Sequence, residues 1–221
     1  SNKEKTLAIW CEANTNIGVG HFTRCNAIAE VLNKNHKWKI HFIMSAGCVV
    51  SQKDVDSCFK FHKRRINQTK NNNVNHWRLK ITLQVGASAV LWDINENIPK
   101  KFITELRKRN ICLVTLDDPT KKRLFCDLAF YPPVPQVKKM NWDKFLGKNY
   151  CGWDWVPLRS SLLKNRRHID ENELINKKQL SLIISMGGSD PKGMTFDVLD
   201  IVESVNLPLK TNVLLGPAFD K

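Results

Sequence analysis

The sequence predicts an α/β protein built on a parallel sheet, and three observations predict it. Short apolar runs of strand length alternate with amphipathic runs of helix length, as in repeated βα units. A glycine-bearing turn, Gly18-Val19-Gly20, lies where the first strand passes into the first helix. Polar residues suited to chemistry, Asp93 and Asp117-Asp118, end predicted strands, and open parallel sheets bind ligands at those ends.

Leu7 to Trp10 reads as the first buried strand, followed by the glycine turn and a helix from about His21 to Asn33. Phe22, Cys25, Ile28, Ala29 and Leu32 recur at helical spacing and give that helix one apolar face. Ile40 to Met44 is a second strand. Cys48 to Asn73 carries no clear period, and Asn71-Asn72-Asn73 reads as an exposed loop. A helix over Val74 to Val85, a strand from Ala89 to Trp92 ending in Asp93, and a helix from Pro99 to Arg109 come next. Proline suits that helix's first turn because its missing N–H would be unpaired there anyway. Ile111 to Leu116 is a strand ending in Asp117-Asp118-Pro119, and Cys126 to Phe130 is the last strand expected before Pro132-Pro133-Val134-Pro135 breaks the pattern. Trp10, Trp92 and Trp38 lie in or beside strands and are expected in the core.

The polar segment from Lys164 to Lys178 reads as a linker between residues 1–163 and a second region at 179–221. That region repeats the pattern with a strand from Leu180 to Met186, the loop Gly187-Gly188-Ser189-Asp190-Pro191, a helix from Met194 to Ser204 and a strand from Leu209 to Leu215. One such unit leaves a sheet without neighbours. The second region is therefore expected to be the start of a further, truncated domain, although capture of its strands by the first sheet is the alternative.

Hydrophobic residues make up 42% of the chain, enough for a globular core. No run approaches the ~18 apolar residues of a membrane span, and the amino-terminal residues lack a signal peptide's apolar segment, so a cytoplasmic protein without a membrane partner is expected. The seven cysteines are odd in number and scattered, which suits reduced thiols. Without Cys-x-x-Cys, His-Glu-x-x-His or paired histidines at ligand spacing, no metal or other cofactor is expected. The net charge of +14 favours anionic partners, but its basic clusters are dispersed along the chain. That dispersal disfavours nucleic acid and fits solvated faces or a phosphate-bearing small substrate.

His21 falls in the first turn of its helix, where the helix dipole disfavours protonation and a neutral imidazole can act as a base. A dinucleotide fingerprint fails because Thr23 stands where the third glycine belongs. A P-loop fails because no Gly-Lys-Ser/Thr follows Gly18 at the needed spacing. Gly187-Gly188-Ser189-Asp190 is a second flexible loop, with Met194 opening a helix whose amides are placed to meet a diphosphate. Each motif also has a plain structural reading: a glycine turn with a solvated histidine, turn and cap chemistry at Asp117-Asp118, and an ion pair for Arg159.

Taken together and in order, Gly18-Val19-Gly20-His21-Phe22-Thr23-Arg24-Cys25, Leu116-Asp117-Asp118, Cys151-Gly152 with Trp155 and Arg159, Met186-Gly187-Gly188-Ser189-Asp190-Pro191 and Leu215-Gly216-Pro217-Ala218 resemble one family. It is the UDP-2,4-diacetamido-2,4,6-trideoxy-β-L-altropyranose hydrolases of pseudaminic acid biosynthesis, with related spore-coat polysaccharide proteins. The resemblance implies a glycosyltransferase-B-like architecture of two Rossmann-like domains facing a cleft, and metal-independent hydrolysis of a UDP-sugar at its anomeric carbon. His21 matches the family's catalytic histidine. Gly18, Gly20, Arg24, Asp93, Asp118, Trp155 and Arg159 are then expected on the substrate side, and Gly187, Gly188, Ser189 and Asp190 on the nucleotide side. Two departures bear on the sugar: Asp93-Ile94-Asn95 replaces the family's Asp-His-Tyr, and Trp155 stands where a tyrosine is usual. A glycosyltransferase of the same architecture, and a non-catalytic binding fragment, are the competing expectations.

Overall fold

The computed structural model describes residues 4–65, 74–164, 179–188, 190, 192–216 and 219, and their strands form two separate parallel sheets. The first unit comprises β1 (Thr6–Cys11), α1 (Gly20–His36), β2 (Lys39–Met44), β3 (Lys60–Lys63), α2 (Val74–Gln84), β4 (Ala89–Asp93) and α3 (Lys100–Lys108). It continues through β5 (Cys112–Leu116), β6 (Leu128–Tyr131), α4 (Pro135–Lys138), β7 (Lys148–Cys151) and α5 (Ser160–Lys164). The strand order is β3-β2-β1-β4-β5-β6-β7, a Rossmann-like arrangement in which the order reverses between β1 and β4.

The central strands β1 and β4 are buried along their whole length, as parallel strands covered on both faces must be. Successive residues of β1 serve opposite layers. Leu7, Ile9 and Cys11 pack with Phe22, Cys25 and Ala29 of α1, whereas Ala8 and Trp10 pack with Trp92, Phe102 and Leu106 on the other face. Trp10 and Trp92 are core residues, and the Trp10 indole N–H donates to Thr82 Oγ1 at 3.0 Å, tying β1 to α2. Trp38 is only partly buried. Lys37 closes α1 in the left-handed conformation (φ 58°), four residues beyond the predicted helix end. Pro99 is the residue before α3 rather than its first member.

Two strands were not expected from the pattern. β3, Lys-Phe-His-Lys, is a short edge strand with charged ends, and β7, Lys-Asn-Tyr-Cys, lacks alternating apolar residues because it is the opposite edge. Gly147 makes that second edge possible. A Cβ there would lie 2.5 Å from the carbonyl oxygens of both Cys126 and Asp127, and the adjoining Lys148 N–H donates to Asp127 O at 2.9 Å. Gly147→Ala is therefore expected to lower stability by about 1–3 kcal/mol through overpacking against backbone that cannot rotate away. Thermal unfolding checks this; an unchanged midpoint refutes the close approach.

Beyond α1, the same sheet face is left as an apolar groove of about 460 Å³, floored by Leu91, Val114 and Phe130 and walled by Leu32 and Trp155. The second unit consists of β8 (Leu180–Ile184), α6 (Met194–Ser204) and β9 (Leu209–Val213), with the strands parallel from Leu180↔Leu209 to Ile184↔Val213. These strands pair with each other and are not captured by the first sheet. One helix cannot cover both faces of a two-stranded sheet, and Ile183, Phe196 and Ile201 stay exposed. Most of the predicted linker, residues 165–178, lies outside the described residues, as does Asn71-Asn72-Asn73.

Candidate active site

The reversal of strand order places the chain after β1 beside the end of β4, with Cys11 paired to Asp93 in register. In the loop between β1 and α1, Asn14 accepts from the Asn16 and Ile17 N–H groups through Oδ1 at 3.0 Å each, and its carbonyl accepts from Gly18 N–H at 2.8 Å. Gly18 closes this turn at φ 71°, a conformation open to glycine. Gly20 then starts α1 without a side-chain cap, and His21 and Arg24, three residues apart, share the helix face that looks onto Asp93.

Asp93 is the hub. Its side chain is only 2% exposed, against 22% for His21 and 27% for Arg24. Oδ1 lies 2.6 Å from His21 Nδ1 and accepts from Arg24 Nη2 at 2.5 Å, while Arg24 Nε donates to Oδ2. The Cys25 thiol, kept protonated by burial, also points at Oδ2 from 3.8 Å. With Nδ1–H donating to the carboxylate, the lone pair of His21 is on Nε2.

This pairing reverses the expected charge preference of His21. The hydrogen bond to Asp93 raises its pKa above the usual 6.5, outweighing burial, and Glu12 adds a smaller push in the same direction. Asp93 itself is opposed by burial, yet the hydrogen bonds from Arg24 and His21 hold it below the ordinary carboxylate value. The helix terminus alone had suggested a His21 poised neutral; a carboxylate in contact outweighs a partial charge spread over a helix end. The stabilisation from His21 is complete below pH 6.5 and is lost as pH rises through its raised pKa. That from Asp93 is complete above 3.8 and is lost as pH falls through its lowered pKa.

The pair Asp117-Asp118 divides its labour. Asp118 is buried and turned inward, with Oδ1 accepting from Thr120 N–H at 2.8 Å and Thr120 Oγ1 at 2.6 Å, and its carbonyl accepting from the Tyr131 hydroxyl. Asp117 is the one that faces the site, with Oδ2 3.6 Å from Arg24 Nη1. Arg159 reaches the start of α1, its Nη2 lying 3.5 Å from Thr23 Oγ1. Trp155 packs on Tyr150 and Phe130, with ring centroids 4.6 and 5.4 Å away, and lines the apolar groove.

The glycine loop of the second unit touches that of the first. A Cβ on Gly188 would lie 3.4 Å from Gly18 Cα, and one on Gly216 would lie 2.3 Å from Gly188 O, so three glycines meet where the units join. Gly187 is left-handed at φ 81°. Asp190 caps α6, with Oδ1 accepting from Met194 N–H at 2.9 Å and Oδ2 from Thr195 N–H at 2.8 Å. Those two amides, expected to face a diphosphate, are occupied by the protein's own carboxylate. Ser189 lies outside the described residues.

Three contributors escaped the sequence reading. Glu12 is buried at the end of β1 and accepts from Asn95 N–H at 3.2 Å. Its position at a strand end, the signal that singled out Asp93, was available in the sequence. Lys122 Nζ donates to the carbonyls of Ile94 and Glu96 at 2.7 and 2.8 Å, and fully buried Arg78 pairs with Glu96 at 2.6 Å. They hold the loop that follows Asp93, and no local pattern marks them. Ile94 packs in the core while Asn95 is exposed.

Among the described residues no group of three or more His, Cys, Asp or Glu side chains is placed to hold a metal ion. No helix among them is long and apolar enough to cross a membrane.

No protein-family model matches the chain. It is similar to the uncharacterized protein MJ1062 of Methanocaldococcus jannaschii, with 27% identity over 218 residues that cover 96% of this chain and 43% of that protein. The chain thus spans less than half the length of the curated relative it matches.

Proposed function

We propose that this chain carries the catalytic half of a nucleotide-sugar hydrolase, acting on a UDP-diacetamido-trideoxy-sugar of the kind used in pseudaminic-acid-type or other surface polysaccharide biosynthesis. One observation carries the reading: Asp93 holds His21 through Nδ1 at 2.6 Å, which leaves Nε2 as a proton acceptor at the strand-order reversal where such folds bind ligands. The architecture fits a glycosyltransferase-B-like pair of Rossmann-like domains, with the second glycine loop toward the nucleotide.

Mechanistically, water attacks the anomeric carbon and gives its proton to His21 Nε2. The bond from that carbon to the diphosphate oxygen breaks, and the electron pair leaves with UDP. Asp93 stabilises the imidazolium formed, as a buried carboxylate does for a catalytic histidine. Arg24 keeps Asp93 ionised and oriented.

Turnover of the UDP-sugar in H₂¹⁸O tests both the activity and the bond cleaved. Free sugar bearing the label at its anomeric oxygen, with unlabelled UDP, is expected. Label in UDP excludes attack at carbon, a new glycoside indicates a transferase, and absence of turnover by the full-length protein refutes the assignment.

A further inference from the structure

Asp117 is the exposed carboxylate of the site, and among the described residues its side chain accepts no hydrogen bond. Its backbone N–H donates to Phe130 O at 2.8 Å, which is what holds the end of β5 against β6. The carboxylate is 43% exposed, and its ion pair with Arg24 Nη1, at 3.6 Å, is longer than a hydrogen bond. Its neighbour Asp118 shows the contrast, with Oδ1 taken up by the Thr120 amide and hydroxyl. Asp117 also stands in the left-handed region at φ 47°, which an aspartate adopts at some cost and a glycine freely. A turn selected only for its shape would be better served by glycine.

The other carboxylates here are engaged, Asp93 by His21 and Arg24 and Glu12 by the Asn95 amide. We infer that Asp117 is a specificity-determining residue of this site, whose carboxylate accepts a hydrogen bond from an O–H or N–H donor on the sugar part of the ligand. The choice of ligand rests on the hydrolase reading above. A carboxylate repels phosphate, so Asp117 selects the hydroxyl- and amide-bearing portion and leaves the diphosphate to other groups. A ligand donor replaces the water that otherwise hydrates this oxygen, and an analogue lacking the donor forfeits that hydrogen bond.

The test uses Asp117→Gly and Asp117→Asn in the full-length protein, each in a His21→Ala background that prevents turnover, with UDP and UDP-2,4-diacetamido-2,4,6-trideoxy-β-L-altropyranose as probes. The glycine variant is expected to unfold at the same or a higher temperature and to bind UDP as the parent does. Its affinity for the UDP-sugar should fall about tenfold or more, with the asparagine variant between the two. Unchanged UDP-sugar affinity in both variants overturns the inference, as does a glycine variant of lower stability, which would make Asp117 structural. If the His21→Ala parent binds UDP but gains nothing from the sugar, both the hydrolase reading and the ligand assigned to Asp117 fail.

Discussion

Replacing His21 with alanine is expected to lower kcat for UDP release by about 10²–10⁴-fold, the usual worth of a positioned general base. The fold should survive, because the His21 side chain is 22% exposed and its main partner, Asp93, keeps its bonds from Arg24. Far-ultraviolet circular dichroism and thermal unfolding check the fold while initial rates check the chemistry. Near-normal turnover by a folded variant would remove His21 from the mechanism. The wild-type pH profile carries a signed expectation of its own. The base form of His21 is populated only above its raised pKa, so kcat/KM should climb with pH through a value above 6.5.

Asp93→Asn should have the second large effect, on stability and chemistry together. The amide is close in size but presents two N–H donors to a pocket already furnished with donors by Arg24 and His21. Breaking a buried ion pair costs about 3–5 kcal/mol when both partners are buried; with Arg24 partly exposed, about 2–3 kcal/mol is expected. Without the carboxylate the imidazolium loses its main stabilisation, so the acid limb of the pH profile should move to lower pH as kcat falls. Urea unfolding and a pH-rate series give the two readouts. A variant of wild-type stability, or one whose acid limb moves upward, contradicts the arrangement.

The groups that hold this site differ in how far sequence exposes them. Leu7 to Trp10, Ala89 to Trp92 and Ile111 to Leu116 are legible as strands because they form the buried centre of the sheet, where every residue is apolar or nearly so. The edges β3 and β7 are not, because a strand with one neighbour and a wet side carries no unbroken apolar run. His21 and Asp93 were legible as candidates from their places at a helix start and a strand end, and Arg24 only through the family resemblance. Their mutual contact was not, since His21 and Asp93 are 72 residues apart in the chain.

Asp117 and Asp118 show the limit most clearly. Both end the same strand, and nothing in Leu-Asp-Asp-Pro says which carboxylate turns outward. The left-handed backbone at Asp117, the Thr120 groups that capture Asp118 and the Arg24 guanidinium from a distant helix decide it. Asp190 repeats the lesson at the second glycine loop, where its carboxylate occupies amides that spacing alone offered to a phosphate.

The sequence by itself determined the α/β class, the central strands, the glycine turns and the set of polar residues at the sheet's carboxyl end. These follow from local periodicity and backbone chemistry, which act within a few residues. Only the tertiary structure decided that Asp93 raises the pKa of His21 where the helix terminus alone would lower it, and which aspartate meets the site. Hydrogen bonds and charge interactions depend on distances of about 3 Å between groups from different strands, and those distances exist only once the sheet has assembled.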